Sequence, residues 1–167
     1  MSQPPAITLR PATEADIPLL FRIYAGTRET ELAMLPWTPE QKHEFLVMQF
    51  HCQHIDYHQN YADAAFDVVE CAGQPVGRLY LHRRAESHHI IDIAILPEHR
   101  GAGIGTRLLT DVISEADLAG KCVAIHVEKH NPALRLYQRL GFVEQGDSDF
   151  HFLMEHPPQT PAQTQTS

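Results

Sequence analysis

The sequence contains little of what several protein classes require. Its 167 residues include three cysteines, an odd number without C-x-x-C spacing, which argues against a disulfide framework or a zinc finger. We therefore expect Cys52, Cys71 and Cys122 to be reduced, buried and structural. No run approaches the roughly 18 apolar residues of a membrane-spanning helix. A soluble protein without a membrane partner is therefore expected.

Positive charge is also scarce, since 13 Lys and Arg stand against 21 Asp and Glu and leave a net charge of -8. A net negative charge argues against a general nucleic-acid binder. It favours a cationic small molecule or a basic peptide end as the substrate. Residues 1–5 have neither the basic nor the apolar region of a secretory signal, so we expect a cytoplasmic location. The length suits one domain, residues 1–156, and the polar residues 157–167 predict a disordered C-terminal tail.

The most informative segment is an apolar strand, Ile90–Leu96, which a proline ends before a glycine-rich turn and a helix. Glycines leave room for a ligand at the backbone of the turn, and they occupy three alternate positions, Gly101, Gly103 and Gly105. The following helix directs unpaired N–H groups and its positive dipole end at the same place, which is typical of a phosphate or pyrophosphate site. The turn lacks the lysine that a Walker loop has before its Ser or Thr, which argues against that motif. Its G-x-G-x-G spacing also differs from the G-x-G-x-x-G fingerprint of dinucleotide-binding proteins.

Two segments carry a family resemblance. Arg100 to Gly105 resembles the R/Q-x-x-G-x-G/A signature of the GNAT superfamily of N-acyltransferases, which wraps the pyrophosphate of coenzyme A. Asn131 to Phe142 resembles the N-x-x-A-x-x-L-Y-x-x-x-G-F segment that closes the coenzyme site in that family. One departure is visible, because Asn131 and Tyr137 are six positions apart where the family commonly has seven. His130 or Asn131 can therefore take the asparagine place, and we choose Asn131.

The resemblance implies the GNAT fold, an α/β architecture with a mixed, mostly antiparallel sheet of about seven strands flanked by helices. Residue patterns predict helices after Thr13, after Thr38 with a capping box to Gln41, after Gly103 and after Asn131. Strands are predicted at Ile7–Arg10, Phe66–Cys71, Val76–Leu81, Ile90–Leu96, Cys122–Val127, Phe142–Glu144 and Phe150–Met154. The first helix is expected to bury Ile17, Leu19, Leu20, Ile23 and Tyr24.

The resemblance also implies how acetyl-coenzyme A is held. In the family the pantetheine arm pairs with the backbone of the fourth strand, where it splays from the fifth. The residues that match the family's coenzyme site are Ile93, Ala94, Ile95, Arg100, Gly101, Ala102, Gly103, Ile104, Gly105, Asn131 and Tyr137. Tyr137 is the candidate proton donor to the leaving thiolate, and the Ile95 N–H is the candidate oxyanion donor.

The general base that deprotonates the attacking amine stays open at this point. Asp92 in the fourth strand is one candidate, and Glu128 at the end of the fifth is another. His126 shares the face of Glu128 by strand alternation and is the third candidate. Asp92 has an alternative interpretation as a structural carboxylate that pairs with arginine or backbone groups.

Twelve histidines suggest a competing hypothesis. His51, His54 and His58 share one face of the second helix, at a spacing that suits a metal ion. Because no cysteine or carboxylate pattern completes that site, we expect no metal. In the family this helix borders the acceptor pocket, so His51, His54, Tyr57 or Trp37 are candidates for setting substrate choice.

The predicted function is transfer of an acetyl group from acetyl-coenzyme A to a primary amine of a small molecule or peptide, by direct attack. The alternative is a non-catalytic protein of the same fold that binds an acyl-coenzyme A as a sensor or partner. A homodimer is expected because it is common in the family. The sequence does not identify the acceptor amine or the acyl chain length.

Overall fold

The computed structural model describes residues 5–159, which form seven strands, four α-helices and two short 3-10 turns. The strands are β1 (Ile7–Pro11), β2 (Ala65–Cys71), β3 (Gln74–Arg83), β4 (Ser87–Ile95), β5 (Cys122–Glu128), β6 (Val143–Asp147) and β7 (His151–His156). The helices are α1 (Ile17–Ala33), α2 (Pro39–Asn60), α3 (Ile104–Leu118) and α4 (Leu134–Arg139). The 3-10 turns are Glu14–Asp16 and Pro97–His99.

The strands form one sheet in the order β1-β2-β3-β4-β5-β7-β6, which confirms the predicted seven-stranded, mostly antiparallel sheet. The β4–β5 pair is parallel, because the connection through α3 returns the chain to the same end of the sheet. Its ladder runs from Ser87↔Cys122 to Ile90↔Ile125, whereas β4 itself continues to Ile95. The last residues of β4 therefore lie beyond the ladder with β5.

The described residues group into two compact units. The first contains the chain up to Tyr80 together with Asp92–Ala102, and the second contains Leu81–Ile91 and the chain from Gly103 onward. Apolar side chains from helices and strands fill the interior of each. The first unit buries Leu20, Ile23, Phe50, Val68, Val69 and Val76, and the second buries Leu108, Leu109, Val112, Val123, Ile125 and Met154.

Local signals in the sequence explain where the first two helices begin. The side chain of Asp16 accepts hydrogen bonds from the Thr13 N–H at 2.8 Å and, in a two-pronged pair, from Arg10 at 2.8 and 2.9 Å. Thr38 caps α2 by accepting from the Gln41 N–H at 3.2 Å, while the Gln41 side chain accepts from the Thr38 N–H at 2.9 Å. The predicted capping box is therefore confirmed.

Some boundaries and burials differ from the predictions. The regular fourth helix begins at Leu134, and residues 132–133 form a turn ahead of it. The Asn131 side chain accepts from the Ala133 N–H at 2.9 Å, which is the bond expected of the predicted capping residue. The sixth strand runs to Asp147 rather than to the predicted end at Glu144, so it includes Gly146. Ile17 is 38% exposed although burial was expected, since it stands in the first turn of α1. Cys52 is exposed on α2, and Cys71 and Cys122 are half-buried, so the prediction of three buried cysteines is wrong.

Among residues 5–159, no helix combines the length and apolar character that crossing a bilayer requires. The predicted tail, residues 157–167, lies outside the described residues from 160 onward. At residue 159 the backbone N–H still donates to the carboxylate of Asp117, at 3.1 Å.

A close approach between β3 and β4 requires a glycine at position 77. A Cβ added to Gly77 would overlap the carbonyl oxygen of Ala94 and lie 2.8 Å from the Cδ1 atom of Ile95. We expect Gly77→Ala to lower the free energy of unfolding by about 1–3 kcal/mol, the usual range for overpacking. Chemical denaturation measures this change. Gly146→Ala in β6 is the control, because its nearest neighbour beyond the adjacent residues is 4.0 Å from the added Cβ. Equal effects of the two substitutions would contradict this interpretation.

Candidate functional site

The end of β4 and the turn after it are fixed by the side chain of Arg100. Its guanidinium donates to the carbonyl of Ile95 at 3.1 Å and to the carbonyl of Gly26, in α1, also at 3.1 Å. Pro97 packs so closely on α1 that a Cβ at Gly26 would lie 2.8 Å from its Cδ atom. Arg100 therefore holds the turn against α1 in addition to any contact with a ligand.

The space beside this turn is mainly apolar. A cavity of about 530 Å³ lies in the first unit, between residues of α1, α2 and the end of β4. Its lining consists of Phe21, Arg22, Ala25, Gly26, Glu29, Leu32, Ala33, Lys42, Leu46, Leu96, Pro97 and Glu98. At its edge Arg22 and Glu98 form an exposed ion pair of 3.3 Å. Such a wall suits an aliphatic chain better than a phosphate group.

The second half of the turn, in the other unit, opens directly into α3. Gly103 precedes this helix with a φ of +81°, a left-handed conformation that an L side chain rarely adopts. The first helical hydrogen bond is the one from the Arg107 N–H to the Gly103 carbonyl, at 3.0 Å. The preceding N–H groups of Ile104, Gly105 and Thr106 have no acceptor within the helix. These N–H groups at the start of α3 are donors that a ligand can use.

A buried polar cluster underlies the middle of β4 in the first unit. Arg78 on β3 is 2% exposed and pairs with Asp92 on β4. The same guanidinium donates to the Gln53 side chain of α2 at 2.9 Å and lies 4.8 Å from the ring centre of Tyr80. Burial alone would lower the pKa of Arg78, but the Asp92 carboxylate raises it above its ordinary value. The guanidinium is therefore charged, and the carboxylate is its counter-ion.

Two tyrosines complete this cluster. Burial raises the pKa of Tyr80, and burial followed by the charge of Asp92 raises that of Tyr57. Their ring centres are 6.0 Å apart in an edge-to-face contact. Both phenols therefore stay protonated at neutral pH. The sequence analysis allowed an arginine partner for Asp92 but did not identify Arg78, although one signal was present: Arg78 is the single charge in the apolar run 76–81.

In the second unit, Tyr137 lies on α4 with its side chain 4% exposed. Its ring meets Phe142 edge to face, with the ring centres 5.6 Å apart. The chain ends α4 at Gly141, whose φ is +102°, and the Phe142 N–H donates back to the Tyr137 carbonyl at 3.0 Å. Gly141 thus stops the chain from continuing the helix, and this bond holds the backbone of Tyr137 in a defined position.

The fifth strand carries two of the three base candidates. His126 is exposed and Glu128 is half-buried. The Nδ1 atom of His126 lies 3.4 Å from the Nε2 atom of His89 on β4, a buried histidine that sequence reasoning had not assigned to the site. The positions of His89 and His126 on neighbouring strands could be predicted from the sequence. Whether the two rings touch depends on the register of β4 and β5, which pairs His89 with Ala124.

The histidines of α2 pack against aromatic rings. The ring centres of His54 and His58 are 4.4 Å apart, and His58 stacks on Phe66 with a separation of 4.1 Å. Burial and then the neighbouring His58 lower the pKa of His54. Within residues 5–159, no group of three or more His, Cys, Asp or Glu side chains is arranged to hold a metal ion. His54 and His58 thus act as packing residues in this structure, and His51 is exposed.

Comparison with known proteins gives a consistent result. The sequence profile described as the acetyltransferase (GNAT) family matches residues 27–142 of this chain. An N-alpha-acetyltransferase of Sulfurisphaera tokodaii is 31% identical over 99 residues, which are 49% of this chain and 58% of that protein. The N-alpha-acetyltransferase MAK3 of Arabidopsis thaliana is 30% identical over 118 residues, 61% of this chain and 62% of that protein. The chain therefore spans about three fifths of these two relatives.

The fold is shared with solved structures. The crystal structure of the PaiA N-acetyltransferase from Thermoplasma acidophilum in complex with coenzyme A aligns with a TM-score of 0.68. The alignment covers 91% of this chain and 99% of that one, at 18% sequence identity. At this identity the likeness establishes the architecture alone.

Proposed function

Because this chain belongs to the acetyltransferase (GNAT) family, we propose that it transfers an acetyl group from acetyl-coenzyme A to a primary amine of a small molecule or peptide. The observation that carries this proposal is the family match over residues 27–142, which includes the glycine turn and the helix with Tyr137. The names of both curated relatives favour the α-amino group of a peptide as the acceptor.

The residues of the turn fit the pyrophosphate of the coenzyme. Gly103 is exposed, and among the described residues no atom lies within 4 Å of a Cβ built on it, so the space above the cradle is open. The free N–H groups of Ile104, Gly105 and Thr106 supply donors, and the positive end of the α3 dipole supplies the charge complement. Gly101 and Ala102, both exposed, let the phosphates approach the backbone.

The pantetheine arm is proposed to pair with the backbone of β4. Support comes from the ladder with β5, which ends at Ile90, while Ile93, Ala94 and Ile95 continue the strand. An extended chain with amide groups can add to such a strand as a further strand would. The N–H of Ile95 is the proposed donor to the oxyanion.

The proposed reaction is direct attack of a neutral amine on the thioester. A C–N bond forms, the C–S bond breaks, the nitrogen loses a proton and the leaving thiolate gains one. Tyr137 is the proposed donor of that second proton. The ordinary pKa of a phenol, about 10, is close enough to that of a thiol, about 8.5, for a well-positioned phenol to make the slightly uphill transfer. Asn131 is proposed to fix the segment before Tyr137 through its bond to the Ala133 N–H.

His126 is the base that we propose. It is exposed on β5, and histidine is the side chain that most often takes this role. The carboxylate of Asp92 already neutralises the buried Arg78, which favours a structural role for it. Glu128 remains the second choice. The cytoplasmic location and the homodimer stay predictions.

The first experiment measures free-thiol release from acetyl-coenzyme A across a panel of amines, polyamines, amino acids and peptide N-termini. Turnover with one class of amine identifies the acceptor and supports the proposed function. Tight coenzyme binding without turnover on any amine would contradict catalysis and favour the acyl-coenzyme A sensor.

We expect Gly103→Ala to weaken coenzyme A binding by about 10-fold, or about 1.4 kcal/mol. A side chain at this left-handed position is strained, and in the proposed site its methyl group would occupy the open space beside the turn that the phosphates need. Isothermal titration with coenzyme A measures the affinity. Gly120→Ala is the matched control, because its φ of +69° and open surroundings are similar but it follows the C-terminus of α3. Both substitutions should lower the free energy of unfolding by about 1–2 kcal/mol. If both also weaken coenzyme A binding equally, the loss comes from general destabilisation, and the proposed cradle is refuted.

A further inference from the structure

A buried histidine contacts the proposed base. His89 is 5% exposed, whereas His126 is exposed, and their rings meet almost at right angles, at 85°, with centres 5.5 Å apart. The nitrogen atoms that face each other are Nε2 of His89 and Nδ1 of His126, 3.4 Å apart. The contact thus leaves the Nε2 atom of His126 as the nitrogen on the far side of its ring.

We propose that His89 is a positioning residue for His126: its Nε2 atom accepts the Nδ1–H of His126 and so places the basic lone pair of His126 on Nε2. This inference rests on the proposed function, in which His126 takes the proton of the amine. His89 does not contact the reacting atoms in this proposal, and it acts by fixing which nitrogen of its neighbour is basic and how that ring is oriented.

The surroundings keep His89 neutral, which an acceptor at Nε2 requires. Burial first, and then the positive charges of Arg84, His126 and His82, together lower the pKa of His89 to about 4. The residue opposite His126 on β7 is the apolar Leu153, which adds no charge of its own. At neutral pH His89 is therefore uncharged, and one of its two ring nitrogens can accept a hydrogen bond.

The direction of the hydrogen bond follows from the protonation cycle of a base. A neutral imidazole gains its proton on the nitrogen with the lone pair, and the resulting imidazolium donates from both nitrogens. If His89 donated to Nδ1 of His126, protonation of His126 would break the bond. If His126 donates instead, the bond persists in both states and strengthens when His126 is charged. Only the second arrangement keeps the ring of His126 in place through the reaction.

The tautomer of His126 can be observed directly by ¹⁵N-detected NMR of the histidine rings in the whole protein, with the signal assigned through a His126→Asn variant. The proposal expects the Nδ1–H tautomer at neutral pH, kept in His89→Gln, whose amide oxygen can accept, and lost in His89→Leu. His88→Leu is the matched control, because His88 bonds to Glu115 at 2.7 Å instead. An Nε2–H tautomer in the unmodified protein would overturn the proposal. Because this measurement needs no His89 variant, it decides the question even if His89→Leu does not fold.

Kinetics separate this inference from the proposed function. We expect His89→Leu to lower kcat on the order of 10-fold, with unchanged coenzyme affinity, because the imidazole loses its working tautomer. Compared with His89→Leu, the His89→Gln variant should regain most of the lost kcat. It should also regain the decrease of kcat at acidic pH that is expected of the unmodified protein. If the NMR result is as expected but His126→Asn retains full kcat, the hydrogen bond stands and the assignment of His126 as base is wrong.

Discussion

Replacing Tyr137 with phenylalanine is expected to lower kcat by about 100-fold or more, the usual range for loss of a general acid. The leaving thiolate then departs without a proton donor, while the ring that packs on Phe142 is retained. Steady-state thiol release at saturating acetyl-coenzyme A and amine measures this change. The dissociation constant of coenzyme A, measured by titration, is expected to stay within about 2-fold, since only one hydroxyl group is lost.

Tyr24→Phe provides the matched control for this experiment. Tyr24 is also 4% exposed, but it lies on α1 in the other compact unit. Both variants lose one buried hydroxyl group, so a nonspecific effect on stability should appear in both. An unchanged kcat in Tyr137→Phe would show that the thiolate leaves without this donor, and an equal fall in the control would point to a general loss of folding.

Signals carried by neighbouring residues were sufficient to predict most of the fold. Thr38 and Gln41 mark the start of α2, and both halves of that capping box form. The strand, turn and helix around the three glycines were predicted for the same reason, because proline, glycine and apolar spacing act within a few residues of each other. Family resemblance then supplied the architecture, a mixed, mostly antiparallel sheet of about seven strands. The order of the strands, with β7 between β5 and β6, was not predicted, because no local signal contains it.

Predictions were less accurate for the boundaries of elements and for the burial of single residues. The regular part of α4 begins only at Leu134, although the Asn131 side chain accepts from the Ala133 N–H as a capping residue does. Cysteine was expected in the interior because it usually behaves as a small apolar residue. Cys52 is exposed because its position on α2 faces away from the residues that the helix packs against.

The site was less predictable than the fold, because its contacts join residues that are distant along the chain. Gln53, Arg78 and Asp92 come from α2, β3 and β4, and the sequence does not state which side chains meet. The contact of His89 with His126 likewise depends on the register of β4 and β5. The glycine turn could be recognised from the sequence because its chemistry lies in consecutive backbone groups.

Arg78→Met is expected to lower the free energy of unfolding by about 3–5 kcal/mol, which is typical of removing one partner of a buried ion pair. The Asp92 side chain, 17% exposed, would then be left without its counter-ion, and the Gln53 amide would lose a donor. Urea denaturation measures the change. The control is Arg83→Met, since Arg83 pairs with Glu115 while both side chains are 46% exposed and screened by water. Similar losses in the two variants would contradict a special role for the buried pair.

The double variant Arg78→Met with Asp92→Leu then tests what the carboxylate does. When an apolar pair replaces a buried ion pair, much of the stability returns, because neither charge remains to be desolvated. We expect recovery of about half or more of the loss, together with kcat within about 10-fold of the unmodified protein, because the proposed base is His126. A double variant that regains stability but loses about 100-fold or more in kcat would assign Asp92 to the reaction. Stability and activity thus separate the structural interpretation of this carboxylate from the catalytic one.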